Sequence, residues 1–150
     1  MAITNTTVSQ TYPRFQSLVY PTVTPHAKTL TTAGGAQTLT AAELLGGLLL
    51  INCDDAQTLN LPSAADLNAA IPGVAEGTAF EFSVINHGDE TLTIAAGTGG
   101  TAFPGTVLTI AAKASKRFLV RVTGVASQTV EGSSDSYTLY GFGSVSAATA

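Results

Sequence analysis

The sequence is poor in the side chains that build metal and catalytic sites. It contains no tryptophan, one cysteine (Cys53) and two histidines (His26 and His87) in 150 residues. One cysteine excludes an internal disulfide framework, and it cannot complete a structural zinc site with two distant histidines. The acidic pairs at residues 54–55 and 89–90 are adjacent, whereas a calcium loop needs spaced oxygen ligands. We therefore expect no metal and no cofactor.

Charge is also scarce. Charged residues make up 11% of the chain and the net charge is −4, whereas about a quarter of a typical domain is charged. The shortage of Lys and Arg argues against nucleic acid and anionic membranes as partners, because both are bound largely through positive charge. The longest apolar run, residues 48–51, is far shorter than the roughly 20 residues of a membrane-spanning helix. A surface made of small, uncharged residues suits contact with other proteins. The alternative is a weakly charged protein that remains a monomer.

No combination of nucleophile and base stands out. Cys53 follows an apolar run, and a buried structural cysteine is common in that position; a Cys53 nucleophile assisted by His87 is the alternative. The Gly-x-Ser-x-Gly pattern of a nucleophile elbow is absent. The first residues lack a basic segment followed by an apolar one, so we expect no secretory signal. The sequence predicts a non-enzymatic protein.

The residues that are abundant favour an all-β fold. Hydrophobic residues make up 45% of the chain and are accompanied by many threonines and 15 glycines, which suit strands and turns respectively. About eight short strands separated by turn signals predict a single jelly-roll-like β-sandwich with two short helical turns. We assign it to residues 28–143, with a C-terminal tail at residues 144–150.

The clearest strand patterns lie in the second half of the chain. Residues 78–86 alternate between apolar and polar side chains, and residues 91–96 continue the apolar face, so we predict that the two segments form a hairpin. Residues 115–123 alternate in the same way, with Phe118 directed inward and Arg117 outward. A capping box at residues 40–43 predicts one helical turn.

Residues 1–27 differ from the remainder of the chain and predict an extended N-terminal arm. Prolines 13, 21 and 25 disfavour a helix. The segment still carries large apolar side chains, which favour an arm that becomes ordered on a neighbouring subunit; a disordered terminus is the alternative. The predicted partner-binding residues of the arm are Tyr12, Phe15, Leu18 and Tyr20.

Basic residues cluster in the strand at residues 115–123. If that strand neighbours residues 78–86, Glu81 forms a cross-strand ion pair with an arginine on the same outward face. The alternative is a basic patch that docks on an acidic partner. The residues of that possible partner-binding patch are Lys116, Arg117 and Arg121.

Three segments resemble a pattern found in structural proteins of tailed phages. They are QTLNLPSA at residues 57–64, GTAFEFSVIN at residues 77–86 and AAGTG at residues 95–99. Over residues 36–123 the chain is similar to the small capsid decoration, or cement, proteins of the trimeric β-sandwich type. The similarity lies in the sequence patterns of the strands and turns and includes no catalytic motif.

The resemblance implies a homotrimer that binds the major capsid protein on the outside of a phage head and stabilises it. It also implies N-terminal arms that reach over neighbouring subunits, synthesis in the host cytoplasm and a final location on the virion surface. The alternative function is a trimeric receptor- or carbohydrate-binding domain of a phage tail fibre.

Overall fold

The computed structural model describes residues 23–30, 35–103, 108–126 and 134–143. The predicted arm residues Tyr12, Phe15, Leu18 and Tyr20 and the predicted tail at residues 144–150 lie outside the described residues.

The described residues form ten strands and two short helices. The strands are β1 (Thr24–Leu30), β2 (Gln37–Thr38), β3 (Gly47–Cys53), β4 (Gln57–Asn60), β5 (Ala79–Asn86), β6 (Leu92–Ala95), β7 (Gly100–Phe103), β8 (Thr109–Ile110), β9 (Ala114–Gly124) and β10 (Ser136–Phe142). The helices are α1 (Ala41–Leu45) and α2 (Ala64–Ala70).

The strands are arranged in two sheets. The large sheet has six strands in the order β1-β3-β5-β9-β10-β7, and the small sheet has four in the order β2-β4-β6-β8. Strands make up 53% and helices 11% of the described residues, so the predicted all-β sandwich is confirmed. Strand pairing begins at Thr24, so β1 starts inside the segment that the sequence assigned to the arm, before the predicted boundary at residue 28.

The first six strands alternate between the two sheets. As a result β1, β3 and β5 pair in parallel in the large sheet, and β2, β4 and β6 pair in parallel in the small sheet. Antiparallel pairing appears where β9 joins β5 and β10 and where β8 joins β6. The sequence pattern did not predict this mixture, because alternation of apolar residues does not specify strand direction.

The predicted hairpin between residues 78–86 and 91–96 is wrong, because β5 and β6 lie in different sheets. A buried asparagine explains the corner between them. The Asn86 side-chain amide donates hydrogen bonds to the backbone oxygens of Glu90 and Ala111, at 2.7 and 3.2 Å, and its oxygen accepts one from the Gly88 backbone N–H at 3.1 Å. A Cβ at Gly88 would overlap the Cys53 backbone, so the chain passes tightly across the end of β3 as it changes sheets.

Both helices begin at the residues that the sequence pattern indicates. The Thr40 backbone N–H donates to the Glu43 carboxylate at 2.7 Å, and the Glu43 N–H donates to the Thr40 hydroxyl at 3.2 Å, which confirms the capping box before α1. At α2 the Ser63 hydroxyl accepts a hydrogen bond from the Asp66 N–H at 3.1 Å. These caps satisfy backbone donors that a short helix would otherwise leave unpaired.

The core lies between the two sheets. Phe82 on β5 and Phe118 on β9 are buried and stack with their ring centroids 5.2 Å apart. Val120 and Val122 are also buried, so the predicted inward face of β9 is confirmed.

A buried tyrosine joins the two sheets at the end opposite the Asn86 corner. The Tyr137 hydroxyl accepts a hydrogen bond from the Gly97 backbone N–H at 2.7 Å and donates one to the Pro62 backbone oxygen at 3.1 Å. A Cβ at Gly100 would overlap the Tyr137 ring, so the small residue at the start of β7 makes room for it. Tyr137 on β10 therefore holds the segments that follow β4 and β6.

We predict that Tyr137→Phe lowers the free energy of unfolding by about 1–3 kcal/mol, because it leaves the buried Gly97 N–H and Pro62 oxygen without their partner. Urea unfolding measures this change. Tyr140→Phe is the matched control, because Tyr140 is only partly buried and lies on the opposite face of the same strand. Equal stability of the two variants would contradict the prediction.

A pH dependence follows from the same side chain. Burial raises the pKa of the Tyr137 hydroxyl above its ordinary value of 10.0. The folded state therefore holds this proton more tightly than the unfolded state, and the associated stability, complete below about pH 10, declines as the pH rises through the folded pKa. We expect the free energy of unfolding to fall more steeply above pH 10 in the wild type than in Tyr137→Phe. Identical slopes in urea titrations at several alkaline pH values would refute this.

Candidate binding surface

The large sheet has a second face that the small sheet does not cover. We call it the outer face; it is formed by the residues that alternate with the core residues along each strand of the large sheet. On β3, for example, Leu49 and Ile51 are buried, whereas Leu48 and Leu50 point the other way and are partly exposed. This two-sided apolar pattern agrees with the position of β3 as an internal strand, between β1 and β5.

Large apolar side chains lie beside one another on several pairs of neighbouring strands of the outer face. Strand registers place Leu50 beside Ile85, Leu119 beside Tyr140, and Tyr140 beside Phe103. The Phe103 and Tyr140 rings meet edge to face with their centroids 6.1 Å apart. Phe103 is 61% exposed, Phe142 45% and Ile85 39%. The outer face thus carries two apolar groups, one on β3 and β5 and one, with aromatic rings, on β9, β10 and β7. Polar side chains of β5 and β9 lie between them, namely Glu81, Ser83, Ser115 and Arg117.

The outer face carries several Ser and Thr side chains but few charged ones. Glu81, Arg117 and Arg121 are the charged residues that β5 and β9 direct to it. Surfaces that bind other proteins are rich in Phe, Tyr and Arg and poor in Lys and Asp at their centre. Large exposed apolar patches occur more often at interaction sites than on the rest of a protein surface. The exposed aromatic rings and arginines of the outer face are residue types that are enriched in protein-binding surfaces.

The ion pair expected between neighbouring strands is present. Arg117 Nη1 lies 3.6 Å from Glu81 Oε2, with both side chains at least half exposed. The Arg117 guanidinium also lies over the Phe142 ring, 5.9 Å from its centroid. Glu81 and Phe142 together orient Arg117 along the sheet surface, so the cross-strand interpretation is confirmed for this arginine.

The three basic residues of the possible patch do not share one face. Arg117 and Arg121 both point to the outer face, four residues apart on β9. Lys116 points to the other side, where its ammonium donates a hydrogen bond to the Thr109 backbone oxygen of β8 at 2.7 Å. Burial lowers the pKa of Lys116. Lys116 thus contacts the small sheet and is not part of a basic surface with Arg117 and Arg121.

The geometry around Cys53 does not favour nucleophilic chemistry. The side chain is fully buried, its thiol donates to the Asp55 backbone oxygen at 2.8 Å, and burial raises the pKa of the thiol. A raised pKa keeps the group in the protonated, weakly nucleophilic form. His87 is exposed in the turn after β5. Among the described residues, no three His, Cys, Asp or Glu side chains lie close enough together to hold a metal ion.

A polar groove of about 360 Å³ opens beside the small sheet. Its polar side chains belong to Thr38, Asn60, Ser63, Asp66 and Thr98. Sugar rings commonly stack on aromatic rings, and none of the described residues that line the groove is aromatic.

Comparisons of the chain with protein-family models, curated proteins and solved structures find no match. Within the described part of the chain, neither helix is long and apolar enough to cross a bilayer.

We predict that Glu81→Gln costs about 0.2–1 kcal/mol more stability at low salt than the control Glu76→Gln, because an exposed ion pair contributes that amount. Glu76 is exposed in the turn before β5, so its substitution removes the same charge from a different surface. Urea unfolding measures the difference, which should vanish near 1 M salt because of screening. If the two variants are equally stable at low salt, Arg117 is not held by Glu81.

Proposed function

We propose that the protein is a structural virion protein, a capsid decoration protein that binds the outside of a phage head as a homotrimer and stabilises it. Two independent lines support this. The sequence between residues 36 and 123 resembles trimeric decoration proteins, and among the described residues one face of the large sheet exposes aromatic rings that the small sheet does not cover. The scarcity of charge, 11% of the chain, agrees with a protein whose surface is largely shared with other proteins.

The outer face is the observation that carries the proposal. Six strands about 4.8 Å apart and the rise along β9 from Ser115 to Arg121 give a patch of roughly 24 by 20 Å. That flat area, roughly 500 Å², is of the same order as the about 800 Å² that one partner buries in a stable interface. Burial of its exposed aromatic rings contributes roughly 25 cal/mol per Å² of apolar surface. The face is thus large and apolar enough for a subunit or capsid contact.

Trimerisation explains how contacts of modest strength hold a protein on a capsid. Each subunit loses translational freedom on binding, and the gain from one small interface is partly offset by that loss. Three linked subunits meet three symmetry-related sites, so the second and third contacts form at a high effective concentration. The capsid is stabilised because the bound trimer bridges subunits that would otherwise separate.

A receptor- or carbohydrate-binding domain of a tail fibre is the rival function. Its natural site in this structure is the polar groove beside the small sheet. None of the described residues that line that groove is an aromatic platform of the kind that favours sugar binding, whereas the exposed rings of Phe103 and Phe142 lie on the outer face. The distribution of aromatic residues therefore favours the decoration protein.

The test combines solution mass with binding to undecorated phage heads. We expect light scattering to give about 46 kDa, three times the chain mass of 15.2 kDa, and we expect cosedimentation with the heads. The double variant Phe103→Ser and Phe142→Ser should lose at least tenfold in affinity for its protein contacts, because their apolar surface is removed. Its stability should change little, since both side chains are exposed.

The matched control is Ala69→Ser, an exposed position on α2, which should assemble and bind as the wild type does. Full assembly and capsid binding by the Phe103 and Phe142 double variant would overturn the role of the outer face. A monomer that binds glycans on an array and ignores phage heads would favour the rival function.

A further inference from the structure

The outer face of the large sheet contains a hollow between its two apolar groups, with a volume of about 390 Å³. Strand register places Ser83 on β5 beside Arg117 on β9, and Ile85 beside Ser115. The serine side chains are short and their neighbours are long, so the surface is recessed at the serines. The residues that line the hollow are Ser83, Ile85, Ser115, Lys116, Arg117 and Phe142.

The guanidinium of Arg117 supplies positive charge to this hollow. Its Nη1 lies 3.6 Å from Glu81 Oε2, which is longer than the roughly 2.8 Å of a charge-assisted hydrogen bond. Glu81 therefore attracts Arg117 without accepting a hydrogen bond from it. The Arg117 side chain is 61% exposed. The Lys116 ammonium, in contrast, is directed to the Thr109 backbone oxygen of the small sheet.

The remaining polar groups of the hollow are two hydroxyls. Neither the Ser83 nor the Ser115 hydroxyl is bonded to another described residue. Hydroxyl and guanidinium groups both donate hydrogen bonds, and the planar guanidinium matches the two oxygens of a carboxylate. Phe142 and Ile85 add exposed apolar surface beside these donors. This combination suits a carboxylate carried on a short apolar stem, as in the side chains of Asp and Glu.

The distribution of charge favours a second copy of this chain as the source of that carboxylate. The described charged residues of the outer face are Arg117, Arg121 and Glu81, with a formal net charge of +1. The other described residues include three lysines and eight carboxylates, with a formal net charge of −5. The outer face of one copy is therefore electrostatically complementary to the remaining surface of another copy.

The symmetry of a trimer brings these two kinds of surface together. In a ring of three subunits each contact is heterologous, so one surface of a subunit meets a different surface of the next. The outer face of each subunit then meets a surface drawn from the acidic remainder of its neighbour. A two-fold dimer of outer faces would instead gather Arg117 and Arg121 of both copies in one interface, with the two Glu81 carboxylates as their only described counter-charges.

We propose that the hollow on the outer face of one subunit binds a carboxylate side chain from the acidic surface of a second copy of this chain. The inference rests on the proposed homotrimer and deepens it by assigning the site and the chemistry of the subunit contact. Arg117 binds the carboxylate oxygens, the hydroxyls of Ser83 and Ser115 donate to them, and Phe142 and Ile85 pack against the stem.

Sedimentation velocity of the full-length protein at several concentrations tests this inference. We expect Arg117→Gln to dissociate at concentrations roughly tenfold or more above those of the wild type, because the variant loses the charge and the paired donors. Salt should weaken the wild-type oligomer more than the variant, because it screens the ion pair. Circular dichroism should show an unchanged fold, since Arg117 is exposed. Normal assembly of Arg117→Gln would overturn the inference.

Two further substitutions separate this contact from general effects of charge. Lys113→Gln removes the same charge from another exposed ion pair, in which Lys113 Nζ lies 2.8 Å from Asp89 Oδ1, and it should assemble as the wild type does. Glu81→Gln removes the carboxylate that competes for Arg117 within the chain, so it should assemble at least as tightly as the wild type. If Glu81→Gln weakens assembly as much as Arg117→Gln does, Arg117 acts only within its own sheet and the inference is refuted.

Mixed oligomers test whether the carboxylate comes from a second copy. Tagged Arg117→Gln chains keep their own acidic surface, which an intact Arg117 on a wild-type chain can bind. We therefore expect the tagged variant to retain untagged wild-type chains at a concentration where the variant alone is dissociated. Failure to retain them would contradict the inference.

The outcome is separable from the proposed function. Normal Arg117→Gln trimers that no longer bind phage heads would place the acidic partner on the capsid and refute the second copy. Normal Arg117→Gln trimers that still bind heads would sustain the decoration protein and refute the inference. Oligomers that depend on Arg117 but ignore phage heads would sustain the inference and refute the capsid role.

Discussion

Strand β3 is apolar on both faces of the large sheet, and the small sheet covers only one of those faces. This constraint follows directly from strands such as β3, in which Leu49 and Ile51 are buried while Leu48 and Leu50 point the other way. A sheet that is to stand in water on one side normally alternates apolar and polar residues. On the outer face, large apolar side chains of β3 (Leu48, Leu50) and of β7 and β10 (Phe103, Tyr140, Phe142) flank the polar residues that β5 and β9 direct outward. The cost of leaving that face in water is lowered most simply by another protein surface.

Two buried polar side chains stabilise the places where the chain crosses from one sheet to the other. Asn86 satisfies the backbone at the corner after β5, and Tyr137 does the same for the segments after β4 and β6 at the opposite end. Buried backbone groups left unpaired at such corners would each be costly. Where the chain leaves one sheet for the other, its backbone groups lose their partners in neighbouring strands. In this sandwich, buried side chains provide hydrogen bonds to those groups.

Much of this architecture could be predicted from the sequence, and the failures have a common cause. The capping box at Thr40 and the inward face of β9 rest on local spacing, and both are confirmed. The prediction that β5 and β6 form a hairpin was wrong because a turn between two alternating segments has the same sequence pattern whether the chain reverses within a sheet or changes sheets. Lys116 was grouped with Arg117 by proximity in sequence, although adjacent residues of a strand point to opposite faces. The apolar outer face was visible in part, in the two-sided pattern of residues 48–53, but its extent needed the strand order.

The burial of Cys53 has a practical consequence for labelling. The single thiol of the chain is buried at the end of β3 and donates a hydrogen bond to the Asp55 backbone oxygen. Maleimide reagents attack thiolates that they can reach, and this one is neither ionised nor accessible in the folded protein. A cysteine introduced on the small-sheet side would therefore be the preferred point of conjugation, without prior removal of the native residue. Dyes, peptides or antigens attached there would be displayed away from the outer face.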